Sequence, residues 1–190
     1  MNSKLVIGVV GMPGAGKNVV SKVAAALGCQ VVVMGDVVRE EAKRMGLEPT
    51  PENIGRIMLE LRDREGPQVV AHRCIPIIET SEAKTVIVDG LRSLEEVELL
   101  RQTFPGFKVL CIHSCPETRF RRLFGRGRSD DPDNWTVFVE RDRRELKVGI
   151  GSVIALADVV VVNEGTKKQL EDRVVDLIRC NMSPKGICHR

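Results

Sequence analysis

Gly11-Met12-Pro13-Gly14-Ala15-Gly16-Lys17-Asn18 follows the apolar run Lys4–Val10. After it, Val20, Val23, Ala24 and Leu27 recur at helical spacing, and Gly28 closes the segment. A buried strand, a glycine-rich turn and a helix, in that order, form the setting a phosphate-binding loop requires. The glycines let consecutive backbone N–H groups converge as an anion nest. The start of the next helix adds partial positive charge, and Lys17 has the reach to meet β- and γ-phosphates. A plain strand-to-helix turn has no need of a lysine at this spacing. Gly11, Met12, Pro13, Gly14, Ala15, Gly16, Lys17, Asn18 and Val19 are therefore the expected nucleotide-binding residues, with Lys17 also catalytic. The expected cofactors are ATP and Mg²⁺. Asn18 departs from the motif, because it stands where Ser or Thr would offer a hydroxyl to Mg²⁺. Its amide oxygen is a poorer ligand, which shifts the metal toward water, the phosphates and Asp89.

Outward from this stretch the chain alternates strand and helix. Gln30–Met34, Thr85–Val88, Lys108–Ile112 and Val159–Val162 are short apolar runs of the kind buried in parallel sheets. Between them, Thr50-Pro51 opens one helix and Gly66-Pro67 stops it. Residues 68–79 continue as helix despite Pro76. Ser93 to Glu96 and Thr166 to Gln169 are capping boxes, and Pro116 opens a further helix. Residues 125–135 have loop composition, with a polar helix after them, and the tail after Arg179 is expected to be loose. The fold class expected is a three-layer α/β P-loop kinase fold. It has a five-stranded parallel sheet, helices on both faces and a short lid. One domain spans 1–190, with a core of 1–35, 84–118 and 155–180. An acceptor-binding helical region covers 36–83, and an arginine-rich lid covers 119–154.

Ligands of such sheets bind at the C-terminal strand ends. Asp89 ends the third strand, where a carboxylate can orient Mg²⁺; with Asn18 it is the metal candidate. Arg92 follows it. Asp36 and Arg39 follow the second strand, Asp36 as a base or acceptor-orienting group and Arg39 as an acceptor-phosphate ligand. Segment 119–128 carries five arginines and no acid, and Arg141, Arg143 and Arg144 come after it. Arg126 and Arg128, set beside glycines on a loop, suit a lid that steadies the transferring phosphoryl. Arg122 belongs with the donor nucleotide and Arg141 with the acceptor. Of these eight arginines, two to four are expected to touch ligand.

The chain has 190 residues, 43% hydrophobic and 29% charged, with a net charge of +3. Disorder, coiled coil and membrane spans are excluded by that balance and by the shortness of the apolar runs. Without segment 119–128, 24 basic residues face 26 acidic ones, so the positive charge is local. With no Tyr, one Trp and five Phe, a base-stacking nucleic-acid surface is not expected. The six cysteines form no C-x-x-C pair. Cys111-Ile112-His113-Ser114-Cys115 is taken as inert strand sequence rather than a metal cluster. The first residues resemble neither a signal nor a transit peptide, which points to the cytoplasm with reduced thiols. A pairing of Cys180 with Cys188 stays open.

Gly-Met-Pro-Gly-Ala-Gly-Lys (11–17), Gly-Asp-Val-Val-Arg (35–39), Asp-Gly-Leu-Arg (89–92) and the arginine-rich lid together resemble the nucleoside-monophosphate kinases of the adenylate kinase type. The chain looks most like an archaeal family of adenylate-kinase-related P-loop proteins, from about residue 4 to residue 180. Arg128-Ser129-Asp130-Asp131, Arg141-Asp142 with Glu145-Leu146, and Gly149-Ile150-Gly151 carry that likeness. Ala157–Asn163 is also similar to the last strand of dephospho-coenzyme A kinases, which implies that Asn163 lies near the adenine. No cysteine lies between Cys115 and Cys180, so the four-cysteine zinc site of long-lid adenylate kinases is not expected, and Val19 replaces their usual Thr. The resemblance implies transfer of the ATP γ-phosphoryl to a small phosphorylated acceptor, first of all a nucleoside monophosphate. Two alternatives are phosphorylation of a hydroxyl, as dephospho-coenzyme A kinases do, and a slow ATPase or nucleotide-gated switch in an assembly. Nucleic-acid and membrane partners are not expected.

Overall fold

Five strands, β1 (Leu5–Val10), β2 (Gln30–Val33), β3 (Thr85–Asp89), β4 (Lys108–His113) and β5 (Val159–Val162), form one sheet in the order β2-β3-β1-β4-β5, with every pair parallel. The structure is a computed structural model describing residues 4–127 and 131–182, with the side chains of residues 51 and 52 left aside. Alternation along β1 explains the layers. Val6 and Val10 pack with α2 (Met34–Arg44), α3 (Pro51–Glu65), α4 (Val69–Thr80), α5 (Leu94–Thr103) and α8 (Ile150–Ala155). Ile7 and Val9 pack with α1 (Lys17–Ala26) and α9 (Lys167–Arg179) on the other face. Burying each such side chain stabilises the fold by about 1.5–3 kcal/mol. Gly8 has no Cβ for a packing reason: one built there would lie 2.6 Å from the Phe107 ring. α6 (Pro116–Arg126) and α7 (Trp135–Val148) complete the described helices.

The caps form where the sequence places them. Thr50 accepts from the Asn53 N–H, and Ser93 and Thr166 close their capping boxes. α4 runs through Pro76. At its C-terminal end, Lys4 Nζ donates to the carbonyls of Ile78 (2.6 Å), Glu79 (2.9 Å) and Ser81 (2.7 Å). Arg73 ties α4 to its neighbours through Glu41 (2.9 Å) and Glu65 (2.7 Å).

Several boundaries differ from expectation. Met34 begins α2 instead of ending β2, because the chain turns into helix without a loop, so Asp36 and Arg39 sit one helical turn apart. Gly125 and Arg126 belong to the last turn of α6, which Gly127 ends in the left-handed conformation (φ 63°). Gly149 separates α7 from the short α8, an element the sequence reading lacked. The tail is not loose at its start. Met182 is fully buried against the α1–α9 layer, and its N–H donates to the Leu177 carbonyl (2.8 Å). Cys188 and Arg128 lie outside the described residues. Cys111 is buried, but Cys115 is exposed at the start of α6. Among the described residues no His, Cys, Asp and Glu cluster could hold a metal, and no helix is long and apolar enough to cross a membrane.

β1 lies between β3 and β4, which the chain visits on opposite sides. That strand-order reversal opens a crevice at the C-terminal end of β1.

Candidate active site

The phosphate loop leaves β1 at this crevice. Gly14 and Gly16 have φ of 82° and 111°, in the left-handed region that glycine tolerates. A Cβ on Gly14 would also come within 2.8 Å of the Arg119 carbonyl oxygen. Gly16 begins α1 with no side-chain cap, and the Val19 N–H turns back to the Gly16 carbonyl at 2.9 Å, so the Lys17 and Asn18 N–H groups are the ones that stand at the loop. Lys17 folds back across the loop, its Nζ donating to the Gly11 carbonyl at 2.5 Å. Burial pushes its pKa down; the Asp89 and Glu145 carboxylates raise it, and Arg92 and Arg141 lower it further. A phosphate arriving here supplies the anion this buried ammonium lacks.

Register places Asp89 beside Val9 at the end of β1. Ser21, one turn beyond Lys17 on α1, donates its hydroxyl to Asp89 Oδ2 at 2.8 Å. Ser21 was not singled out from sequence, although its i+4 spacing from Lys17 put it on that face. Asn18 and Asp89 line the same cleft. Both offer hard oxygen donors, which suits Mg²⁺.

That cleft, about 570 Å³, is also lined by Gly11, Pro13, Gly14, Gly16, Lys17 and Val19 from the loop side. Arg39, Arg92, Arg122, Arg126, Arg141 and Asn163 line it from around. Met12 instead packs into the core and Ala15 is fully buried. The Ala15 carbonyl accepts from Asn163 Nδ2 at 2.8 Å. Arg122 donates to the Asn163 carbonyl and to Ser114 Oγ, both at 3.0 Å, so α6 and the ends of β4 and β5 brace the loop together.

Among the described residues of the arginine-rich segment and α7, Arg122, Arg126 and Arg141 line this cleft. Arg119 does other work. It is 4% exposed and pairs with Asp142 of α7 (2.8 and 2.6 Å), and it donates to the Pro13 carbonyl at 3.2 Å. Arg126 grips Asp131 through two nitrogens, and Arg141 stands 3.6 Å from the same nearly buried carboxylate. Four of the chain's six aromatics, Phe120, Phe124, Trp135 and Phe138, stack together on α6 and α7, and Arg119 lies 4.9 Å over the Phe138 ring.

A second cleft of about 580 Å³ adjoins the first. Arg39, Asp89, Gly90, Arg92, Arg141 and Glu145 line both. Its floor is apolar, with Met34, Val38, Ile54, Met58 and Val70, and its rim adds Arg62 and Arg144. Arg62 is paired with Glu96 at 2.7 Å. Asp36 lines neither cleft: it is ion-paired with Arg39 and faces a groove beside Val31, Val37 and Ile77. Glu145 was quoted from the sequence only as part of a motif; its i+4 spacing from Arg141 on α7 was the available signal.

Fold and loop together are those of the P-loop kinase class. Residues 10–139 match the family described as AAA domain. Three solved structures share the fold at 16–19% identity. TT1252 from Thermus thermophilus matches with a TM-score of 0.68, over 95% of this chain and 99% of that one. Shikimate kinase from Acinetobacter baumannii matches at 0.57, over 95% and 96%. A gluconokinase from Sinorhizobium meliloti 1021 matches at 0.55, over 98% and 99%.

The chain belongs to the UPF0200 family. It is 45% identical over 182 residues to the UPF0200 protein of Methanothermobacter thermautotrophicus, covering 96% of this chain and 93% of that one. It is 51% identical over 170 residues to UPF0200 protein MJ1399 of Methanocaldococcus jannaschii, covering 88% and 84%.

Proposed function

We propose that this protein transfers the γ-phosphoryl of ATP to a small phosphorylated acceptor. The observation that carries the reading is the wall shared by two clefts. On one side lies a phosphate loop with Lys17, and on the other an apolar-floored cleft rimmed by arginines. Arg39, Arg92 and Arg144 give the second cleft cationic forks suited to a phosphate or carboxylate. The loop, Lys17, Arg122 and Asn163 hold the donor. Arg126 and Arg141 close over the transferring group, with Arg128 as a further lid candidate. Helices within 36–83 carry the acceptor, and 119–154 forms the lid. Mg²⁺ held by Asn18 and Asp89 would neutralise phosphate charge. Catalysis then consists of positioning and electrostatics. A nucleoside monophosphate and a phosphorylated alcohol both satisfy this reading. The names shikimate kinase and gluconokinase among the structural neighbours also belong to kinases of small molecules.

The test is a split in kinetic constants. Arg144→Ala, at a residue that lines the second cleft and not the first, raises the acceptor KM by about 10–100-fold, as loss of a charge-assisted hydrogen bond does, and leaves the KM for ATP nearly unchanged. Equal changes in both constants would contradict the assignment of the second cleft to the acceptor. Asn18 at the metal position favours a second reading, a slow ATPase or nucleotide-gated switch. ATP hydrolysis indifferent to every small acceptor would support it over phosphotransfer.

A further inference from the structure

Glu145-Leu146 stands out in the sequence without a role, just after Arg141-Asp142, and α7 divides the work between these residues. Asp142 faces Arg119 beneath the phosphate loop. Arg141 and Glu145, one turn apart on the helix, line the wall between the two clefts. A nucleophile in the second cleft must come within about 3–3.5 Å of the γ-phosphorus to react, so it has to meet this wall. Among the described residues, two carboxylates line both clefts, Asp89 and Glu145. Asp89 accepts the Ser21 hydroxyl and stands on the loop side with Asn18. Glu96, the other acid of the second cleft, is 1% exposed. It is occupied by Arg62 (2.7 Å) and by the Arg92 and Ser93 N–H groups (2.8 and 3.3 Å). Asp36 faces elsewhere. Glu145 differs from all three. Its ion pair with Arg92 is 3.6 Å long, beyond hydrogen-bonding distance, so its oxygens keep accepting capacity toward the cleft.

Resting on the phosphotransfer reading above, we infer that Glu145 is the general base, and that the acceptor reacts through a hydroxyl while its phosphate is held by the arginines of the second cleft. A dianionic phosphate brought to this wall as nucleophile meets Glu145 as a like charge, whereas a hydroxyl donates a hydrogen bond to it. In the step, the acceptor oxygen forms a bond to the γ-phosphorus and its proton passes to the Glu145 carboxylate. The bond from the γ-phosphorus to the bridging oxygen breaks, and its electron pair leaves on ADP. The products are a phosphate monoester, ADP and a proton that Glu145 releases to solvent.

The experiment incubates the full chain, Glu145→Gln and Glu145→Ala with Mg²⁺-ATP and each of AMP, CMP, UMP, GMP, dephospho-coenzyme A, glycerol 3-phosphate and glucose 6-phosphate. Phosphorus NMR sorts products into monoesters and anhydrides. Hydrolysis without acceptor, where water takes the hydroxyl's place, is followed in parallel. The expected product is a monoester. Glu145→Gln lowers kcat at least 100-fold, within the usual range for a general base, for hydrolysis as for transfer. The KM for ATP changes by less than about threefold, and sodium formate restores part of the activity of Glu145→Ala. A nucleoside diphosphate as product would overturn the inference, as would a Glu145→Gln loss confined to KM. If no panel member reacts, hydrolysis decides: rates unchanged in Glu145→Gln overturn the inference. Those outcomes, with ATP binding intact, strike Glu145 alone, whereas absence of ATP binding by the wild-type chain removes the phosphotransfer reading as well.

Discussion

Ser21 shows how far a single hydroxyl reaches. It donates to Asp89 at the mouth of the phosphate loop, and a partner of that kind fixes the orientation of a metal-binding carboxylate. Ser21→Ala is expected to raise the Mg²⁺ concentration needed for tight binding of a fluorescent ATP analogue by about 10–100-fold. Binding without Mg²⁺ stays unchanged, and Ser21→Thr restores the original dependence. The buried thiols give a second check. Burial pushes the Cys74 thiol up to about 12 and the Cys111 thiol up to about 11, from an ordinary value of 9.0. At pH 8 both stay protonated in the native chain, so iodoacetamide modifies exposed Cys115 and Cys180 first, as peptide mass spectrometry would show. The sign for stability follows from the same shifts. Between about pH 9 and the raised values only the unfolded thiols ionise, so stability falls as pH rises through that window.

At the scale of elements, α6 and α7 meet through Arg119. Its guanidinium joins Asp142, the Ser114 carbonyl and the Pro13 carbonyl, beneath a ring of Phe138. Arg119→Leu strands the Asp142 carboxylate, 15% exposed, and losing one member of a buried pair costs about 3–5 kcal/mol. For a chain of this length that lowers Tm by about 10 °C, measurable by circular dichroism. The strands, caps and phosphate loop were legible in sequence because their causes are local: apolar runs, Ser93 and Thr166 with their N3 partners, glycines at positive φ. Arg119 and Glu145 were not. Arg119 belongs to a run of arginines that composition cannot sort, and only the approach of α6 to the loop separates the buried one from Arg122 and Arg126 in the cleft. The place of Glu145 in the wall shared with Asp89 depends on how α7 lies against the clefts, which its own sequence does not specify. The start of α2 differs from expectation for a similar reason: Val33 passes directly into helix at Met34, and Gly35, a residue that ordinarily signals a turn, lies inside the first helical turn.

At the scale of the whole molecule, Arg122 and Arg126 of the arginine-rich segment line the same cleft as the phosphate loop, at the C-terminal ends of the strands, so part of the local positive charge faces a place suited to anions. Four of the six aromatic side chains, too few in sequence for a stacking surface, gather on α6 and α7. A nucleotide that binds only the folded chain stabilises it by about 2.7 kcal/mol at 100 times its Kd, so ATP is expected to raise Tm by several degrees and to do so less in Lys17→Ala. The most direct test of phosphotransfer is ADP formation from Mg²⁺-ATP, measured for the wild-type chain and Lys17→Ala with and without a panel of small phosphorylated acceptors. At least one acceptor is expected to stimulate wild-type ADP formation about tenfold or more, and Lys17→Ala to lose about 100-fold or more of that rate. Stimulation by none of them, or equal turnover in Lys17→Ala, would contradict it.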